Sequence, residues 1–345
     1  MNYEKYSEAI IACRFCFMCR HLSPISNVTY SESDNPRVRA AMIYGLKHHP
    51  EMIKDEDFIK TIFRADLSAC CRYHCVDHYD EAGLNIAMRQ DIVEAGLAPQ
   101  YVSDLADEFI KKADPEITGK AAVLYYIDDV AAETPEIAQA FDKIAKKANV
   151  DYMTVKGGCI CKALKVLGYA KEAKEKAEKF AAVLNATPAK TIVVSNPAAY
   201  DALVNDVTEY GIKLKAKVVH ISEWIASLKL AFPAAGRKLY YIESDFLKNY
   251  NNNYKFPREV LAQMNAEVVP FGTNNEESYT CGEGALHLDK MWNDIAVKWA
   301  KYVEERADNL DADLFIVASP YTRMMLTNNT EMNVLTLEEY AATTI

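Results

Sequence analysis

The sequence predicts a multi-domain α+β protein: a helical N-terminal part over residues 1–114, then two repeated α/β units, 115–233 and 234–345, with mainly parallel sheets. Three observations predict it. The first 114 residues are helical in pattern and lack strand-like runs. From Gly119 onward, short β-rich runs bounded by turn residues alternate with amphipathic helical stretches, the texture of βαβ units. Three of those runs occur twice.

In the helical part, residues 55–64 and 85–95 read as helices, the second following a turn at Gly83. Loops are expected around residues 23–27 and 33–36, where Ser, Pro, Asn and Asp cluster. Among the doubled runs, 122–129 is echoed by 238–245, 189–197 by 312–320, and 218–224 by 334–340. The offsets, 115, 123 and 116 residues, are nearly constant, which implies two copies of one unit joined near Phe232-Pro233-Ala234-Ala235-Gly236. Each copy has a candidate crossover helix. Residues 172–184 are rich in Ala, Lys and Glu; Met291, Ile295, Trp299 and Val303 recur every four residues as the buried stripe of the other.

A chain of 345 residues, half apolar and 26% charged, can bury a sizeable core, so disorder is excluded. A net charge of −10 argues against a nucleic-acid binder, which would carry a basic stripe. No apolar run is long enough for a membrane span, and the N-terminal residues are too acidic and polar for a signal peptide, so a cytoplasmic location is expected. Neither G-x-G-x-x-G nor G-x-x-x-x-G-K-[ST] occurs, so neither loop is there to hold a nucleotide.

Six of the nine cysteines lie within the first 75 residues. Cys13-x-x-Cys16-x-x-Cys19 places three thiols on one tight loop, which suits one corner of an iron–sulfur cube. The two-cluster run C-x₂-C-x₂-C-x₃-C-P continues here to Ser23-Pro24, so its fourth cysteine is a serine. Traced back from Cys75, the same run meets Cys71, then Ser68 and Ala65. Fourth cysteines cross over between clusters. One cluster therefore keeps Cys13, Cys16, Cys19 and Cys75, whereas the other would retain Cys71 alone. One [4Fe–4S] cluster is expected. A four-thiolate zinc site competes with it, although zinc knuckles are usually paired C-x₂-C. Cys70 and Cys71 read as buried small hydrophobes.

The stretch from Cys13 to His21, with Asn27-Val28-Thr29 and residues 33–40, resembles the opening of iron–sulfur subunits that partner FAD-linked oxidases. The group includes the glycolate oxidase iron–sulfur subunit, lactate-oxidising relatives and the cysteine-rich subunits of heterodisulfide reductase. Cys71-Arg72-Tyr73-His74-Cys75 and residues 91–97 are similar to the same group. That resemblance implies an α-helical ferredoxin-like domain followed by two CCG-like domains. It also implies where the chain departs from the pattern. The first-strand cysteines stand as Asp129 and Asp245. The Cys-Cys-Gly motifs survive as Cys159-Ile160-Cys161 and Thr280-Cys281-Gly282. Both Cys-Pro-x-Cys motifs have lost their thiols, at Asn196-Pro197 and Ser319-Pro320. Thiolate-poor pockets are unsuited to clusters, so the CCG clusters are expected to be absent. Asp129 and Asp245 then read as strand-end carboxylates, and His74, His78 and His220 as structural or surface histidines.

The resemblance implies an electron-transfer subunit with no catalytic residue of its own, FAD being confined to a partner chain that oxidises a 2-hydroxy acid such as lactate or glycolate. A heterodisulfide- or quinone-reductase-like subunit, and a docking scaffold without redox function, are the alternatives. The 21 tyrosines are a plausible source of interface surface.

Overall fold

The computed structural model describes the chain except residues 14–15, 159, 234–235, 272–274, 276–277 and 308–312. Up to residue 114 the described residues form helices and turns. Asn35 caps helix Pro36–Gly45 through its side chain, with Pro36 in the first turn, and Asp55 caps Glu56–Phe63 by accepting from Phe58 N–H at 2.8 Å. The first expected loop is a turn over residues 23–25 that runs into the short helix Ser26–Thr29, and the second is mostly the short helical turn Glu32–Asp34. Gly83 is no turn. It lies in the first turn of helix Glu81–Glu94, where its N–H donates to the capping Asp80.

Two sheets follow. The first contains β1 (Glu116–Thr118), β2 (Val123–Ile127), β3 (Tyr152–Lys156), β4 (Thr191–Val194) and β5 (Lys217–His220), in the order β1-β3-β2-β4-β5. The second contains β6 (Lys238–Ile242), β7 (Glu267–Val269), β8 (Leu314–Val317) and β9 (Asn333–Thr336), in the order β7-β6-β8-β9. All pairs are parallel except β1 with β3. Setting β1 aside, the two orders are the same, so the sequence repeat is a structural repeat.

Its register differs from the sequence alignment by one residue. Leu-Tyr-Tyr-Ile occurs at 124–127 and again at 239–242, an offset of 115. In the sheets Tyr126 pairs with Val194 and Ile242 with Val317, each three residues before the helix-starting Pro197 or Pro320. The structural offset is thus 116, and Tyr125 corresponds to Tyr241. Side chains alternate along a strand, so one step exchanges the faces. Leu124 packs on the outer face with Phe180 and Leu184, whereas Leu239 lies in the core between the sheets.

That middle core joins the units. Tyr125, Phe141 and Trp224 of the first pack in one cluster with Tyr241, Ile316 and Tyr340 of the second; Phe141 stacks on Tyr125 at 3.8 Å and on Trp224 at 4.7 Å between centroids. The crossover helices form at Ala170–Asn185 and Asn293–Ala307, the latter burying Ile295, Trp299 and Val303, while Met291 ends the preceding turn.

The helical part is fastened to both units. Arg89, fully buried, donates to the carbonyls of Ile62, Phe63 and Ala65 and, across the junction, to that of Val166, at 2.9–3.2 Å. Burial, and then the nearby Arg39, lower its pKa to about 9. Gly168, at φ +92°, permits this approach, since a Cβ would sit 2.6 Å from the Arg89 carbonyl carbon. On the second unit, Tyr250 donates to Leu67 O at 2.6 Å and Asn249 to Ser68 O at 2.6 Å.

Candidate functional site

Cys13 closes helix Ser7–Ala12, Cys16 is exposed, and Cys19 sits in helix Met18–Leu22. Burial pushes the Cys19 thiol up to about 11; Cys13, Glu81 and Cys16 add to the rise, against a hydrogen bond from the Arg37 backbone. Cys13 and Cys16 therefore both lie within electrostatic reach of Cys19. Cys19 Sγ donates to Asn35 Oδ1 at 3.0 Å, and the buried Asn35 Nδ2 has no partner. From the second cysteine segment, it is Cys71 that reaches this group, donating to Cys19 O at 3.5 Å. Cys75 is half-buried against the helical core, its N–H bonded to Cys71 O. Glu81 is buried here too, its pKa raised to about 8 by burial and then by Asp66 and Asp80.

Among the described residues, no three His, Cys, Asp or Glu side chains close on a single metal-ion position. A cube presents four separate corners, so its thiolates stand farther apart than the ligands of one tetrahedral ion. The all-thiol donor set fits a cube in chemistry. In the second segment Cys71 touches the Cys19 backbone, and Cys75 lies one turn on, against the helical core.

Cys70 is buried, as a small hydrophobe would be, but it is not inert packing. Its sulfur accepts from Asn249 Nδ2 at 3.3 Å and from Lys248 Nζ at 3.6 Å. Lys248 is itself fully buried, 3.6 Å from Asp245 and 3.0 Å from Ser278 O. Asp245 accepts from Thr280 Oγ1 at 2.6 Å and Gly284 N at 3.2 Å, and its own N–H donates to Glu283 at 2.7 Å. Burial, then Asp245, raise Glu283 to about 8. Cys281 is fully buried beside them, its thiol pushed up by burial. Around Asp245 and Cys281 the second unit is thus filled by side chains, and a cavity of about 180 Å³ lined by Cys70, Ser278 and Thr280 opens beside them.

In the first unit the matching place is hollow. A cavity of about 140 Å³ opens at the carboxyl ends of β2, β3 and β4, and Asp129, Cys161 and Asn196 all line it. Cys159 lies outside the described residues. Asp129 starts a short helix and pairs with Lys112. Asp128 caps that helix and accepts from Asn196 Nδ2 at 2.5 Å, its pKa raised by burial. The cavity lies where the chain leaves β2 for β3 on one side and the adjacent β4 for β5 on the other, the usual ligand position in open parallel sheets. Its roof is His287 of the second unit, which no sequence pattern singled out.

His220 is structural. Nδ1 faces Ser222 and Nε2 the Ser195 carbonyl, and burial lowers its pKa to about 4. His74 is half-buried, and His78 is exposed on a turn.

No family model matches the chain. Over 146 residues, 40% of its length, it is 30% identical to an EtfAB:quinone oxidoreductase of Syntrophomonas wolfei subsp. wolfei. The likeness is partial. It spans 19% of that protein, so the chain corresponds to about a fifth of this relative. Among solved structures, the crystal structure of a hypothetical protein from Helicobacter pylori matches with a TM-score of 0.63, over 99% of this chain and 75% of that one. At 9% identity, that is a likeness of fold. No described helix is long and apolar enough to cross a membrane.

Proposed function

We propose that this chain is an electron-carrying subunit of an oxidoreductase, holding one [4Fe–4S] cluster on Cys13, Cys16, Cys19 and Cys75 and working with a partner that carries FAD. The observation that carries the reading is the three-cysteine loop gathered around Cys19, with the second cysteine segment packed against it. The partial likeness to an oxidoreductase supports electron transfer as the class of activity. When bound, such a cluster supplies one-electron transfer. The chain's own residues hold it and set its surroundings. Cys19 is half-buried, and the Asn35 side chain, held by its cap bond to Arg37 N–H, stands 3.0 Å from its sulfur as a polar neighbour that would orient the ligand. Oxidation of a 2-hydroxy acid takes place on the partner.

A second reading takes Cys71 as fourth ligand, favoured by its contact with Cys19 O. A quinone-linked complex is favoured by the relative's name.

Anaerobically purified full-length protein tests the proposal. About four irons per chain and cubane absorbance are expected; about eight irons, or zinc without iron, would overturn it. Cys75→Ala should lose or convert the cluster and Cys71→Ala retain it, and the reverse outcome selects Cys71. Cys16→Ala should stop electron flow from the partner's flavin while leaving the complex intact. Flow that survives this change would make the chain a scaffold.

A further inference from the structure

The hollow of the first unit is built to hold something. Its walls at Phe109, Ile160 and Leu286 are apolar, and charged side chains stand at its mouth: Lys290 and Asp129 are about half exposed there. The His287 ring lies 4.7 Å from that of Phe109, tilted by 37°. Its Nε2 is buried without a hydrogen-bond partner. A buried polar nitrogen left unpaired costs ~1–3 kcal/mol, so the expected partner is a group that enters the cavity. Two wall residues, Cys161 at φ +87° and Leu286 at φ +60°, hold backbone conformations rare for residues other than glycine, as clamped ligand sites often do.

The occupant's charge follows from what the cations are already doing. Lys162 is committed to Asp201 and Asp206, at 2.5 Å each, and Lys112 to Asp129, while Lys290 stays half exposed at the mouth, 3.9 Å from Glu108. The Asp128 carboxyl lines the cavity and would repel an anion. Burial, and then Lys290 and Lys112, lower the His287 pKa to about 3, so it meets the occupant as a neutral ring. The size is that of one ring, since a cavity of about 150 Å³ accommodates benzene.

We infer that this cavity binds a small, flat, uncharged ring with a hydroxyl on its edge, the ring lying against Phe109 and the hydroxyl meeting His287 Nε2. None of Cys13, Cys16, Cys19 and Cys75 lines the cavity, so the inference stands whether or not the chain carries a cluster.

Calorimetric titration of the full-length chain with phenol, toluene and benzoate tests it. Phenol should bind about tenfold more tightly than toluene, equivalent to ~1.4 kcal/mol for the hydroxyl contact, and more tightly than benzoate. His287→Phe should bring phenol down to the level of toluene, and Met324→Trp, which puts a larger side chain in the cavity lining, should abolish both. Equal affinity for phenol and toluene in the unaltered protein, tighter binding of benzoate, or no binding at all would overturn the inference. Because the comparison within the unaltered protein needs no variant, a misfolded His287→Phe would leave it decisive.

Discussion

The two α/β units share strand order and register, yet their strand ends have diverged. The first leaves a cavity floored by Asp128 and roofed by a neutral histidine. The second fills the same place with Lys248, Asp245 and Glu283. A repeated fold fixes where a site can form and leaves its contents free. The filled unit places a buried cation, Lys248, among buried acids where the first unit has space, and a buried cation is costly to remove.

The largest expected effect breaks the filled side. Lys248→Met leaves Asp245 and Cys70 without their buried cation and should cost ~3–5 kcal/mol in urea unfolding. Its counterpart at the mouth of the hollow, Lys112→Met, faces a half-exposed Asp129 and should cost under ~1 kcal/mol. Similar losses would show that the second cluster is no tighter than the first.

Next comes the contact between the filled unit and the helical part. A Cβ at Gly284 would stand 2.3 Å from Leu67 O and 2.8 Å from Ser68 N, so Gly284→Ala should destabilise by ~1–3 kcal/mol. A thermal midpoint unchanged by this substitution would mean that residues 67–68 yield easily.

A third outcome separates the units by pH. Burial raises Glu283 from 4.5 to about 8, so between those values the folded chain binds a proton that the unfolded chain has released. Stability from this group therefore falls as pH rises from about 4.5 to 8, by at most about 1.4 kcal/mol per unit. Glu283→Gln should flatten the urea midpoint against pH across that window. An unchanged slope would assign it to other buried glutamates, such as Glu338, raised to about 7 chiefly by burial.

The smallest effect compares the last helices. Arg323 grips Glu339 with two bonds at 2.6 and 2.8 Å, and Glu339 completes a capping box with Thr336. Glu339→Ala should cost ~1–2 kcal/mol, whereas Glu223→Ala, paired with the exposed Lys217, should cost under ~0.5 kcal/mol.

The architecture was legible because strands buried on both faces read as continuous apolar runs, and Pro197 and Pro320 mark equivalent helix starts. The same continuity hid the register. With apolar residues on both faces, no alternation distinguishes an offset of 115 from 116, and the identical Leu-Tyr-Tyr-Ile letters favour the wrong one. The edge strands β1 and β7, at three residues each, were too short to register as patterns. Within the thiol group, spacing alone marked Cys13, Cys16 and Cys19. The placement of Cys71 against Cys19 depends on how residues 65–75 turn, with Leu67 and Ala69 at positive φ. Lys248 and His287 gave no signal, because Cys70 and Phe109, which they meet in the helical part, each lie 178 residues away.

The Arg89 joint concentrates risk in one codon. Its acceptors at positions 62, 63, 65 and 166 are main-chain oxygens, which every amino acid supplies. Substitution at those four buried places alters packing without removing an acceptor from Arg89. A change at position 89 severs them all at once, whereas a change at one of the four buried acceptor positions costs packing and leaves its carbonyl in place.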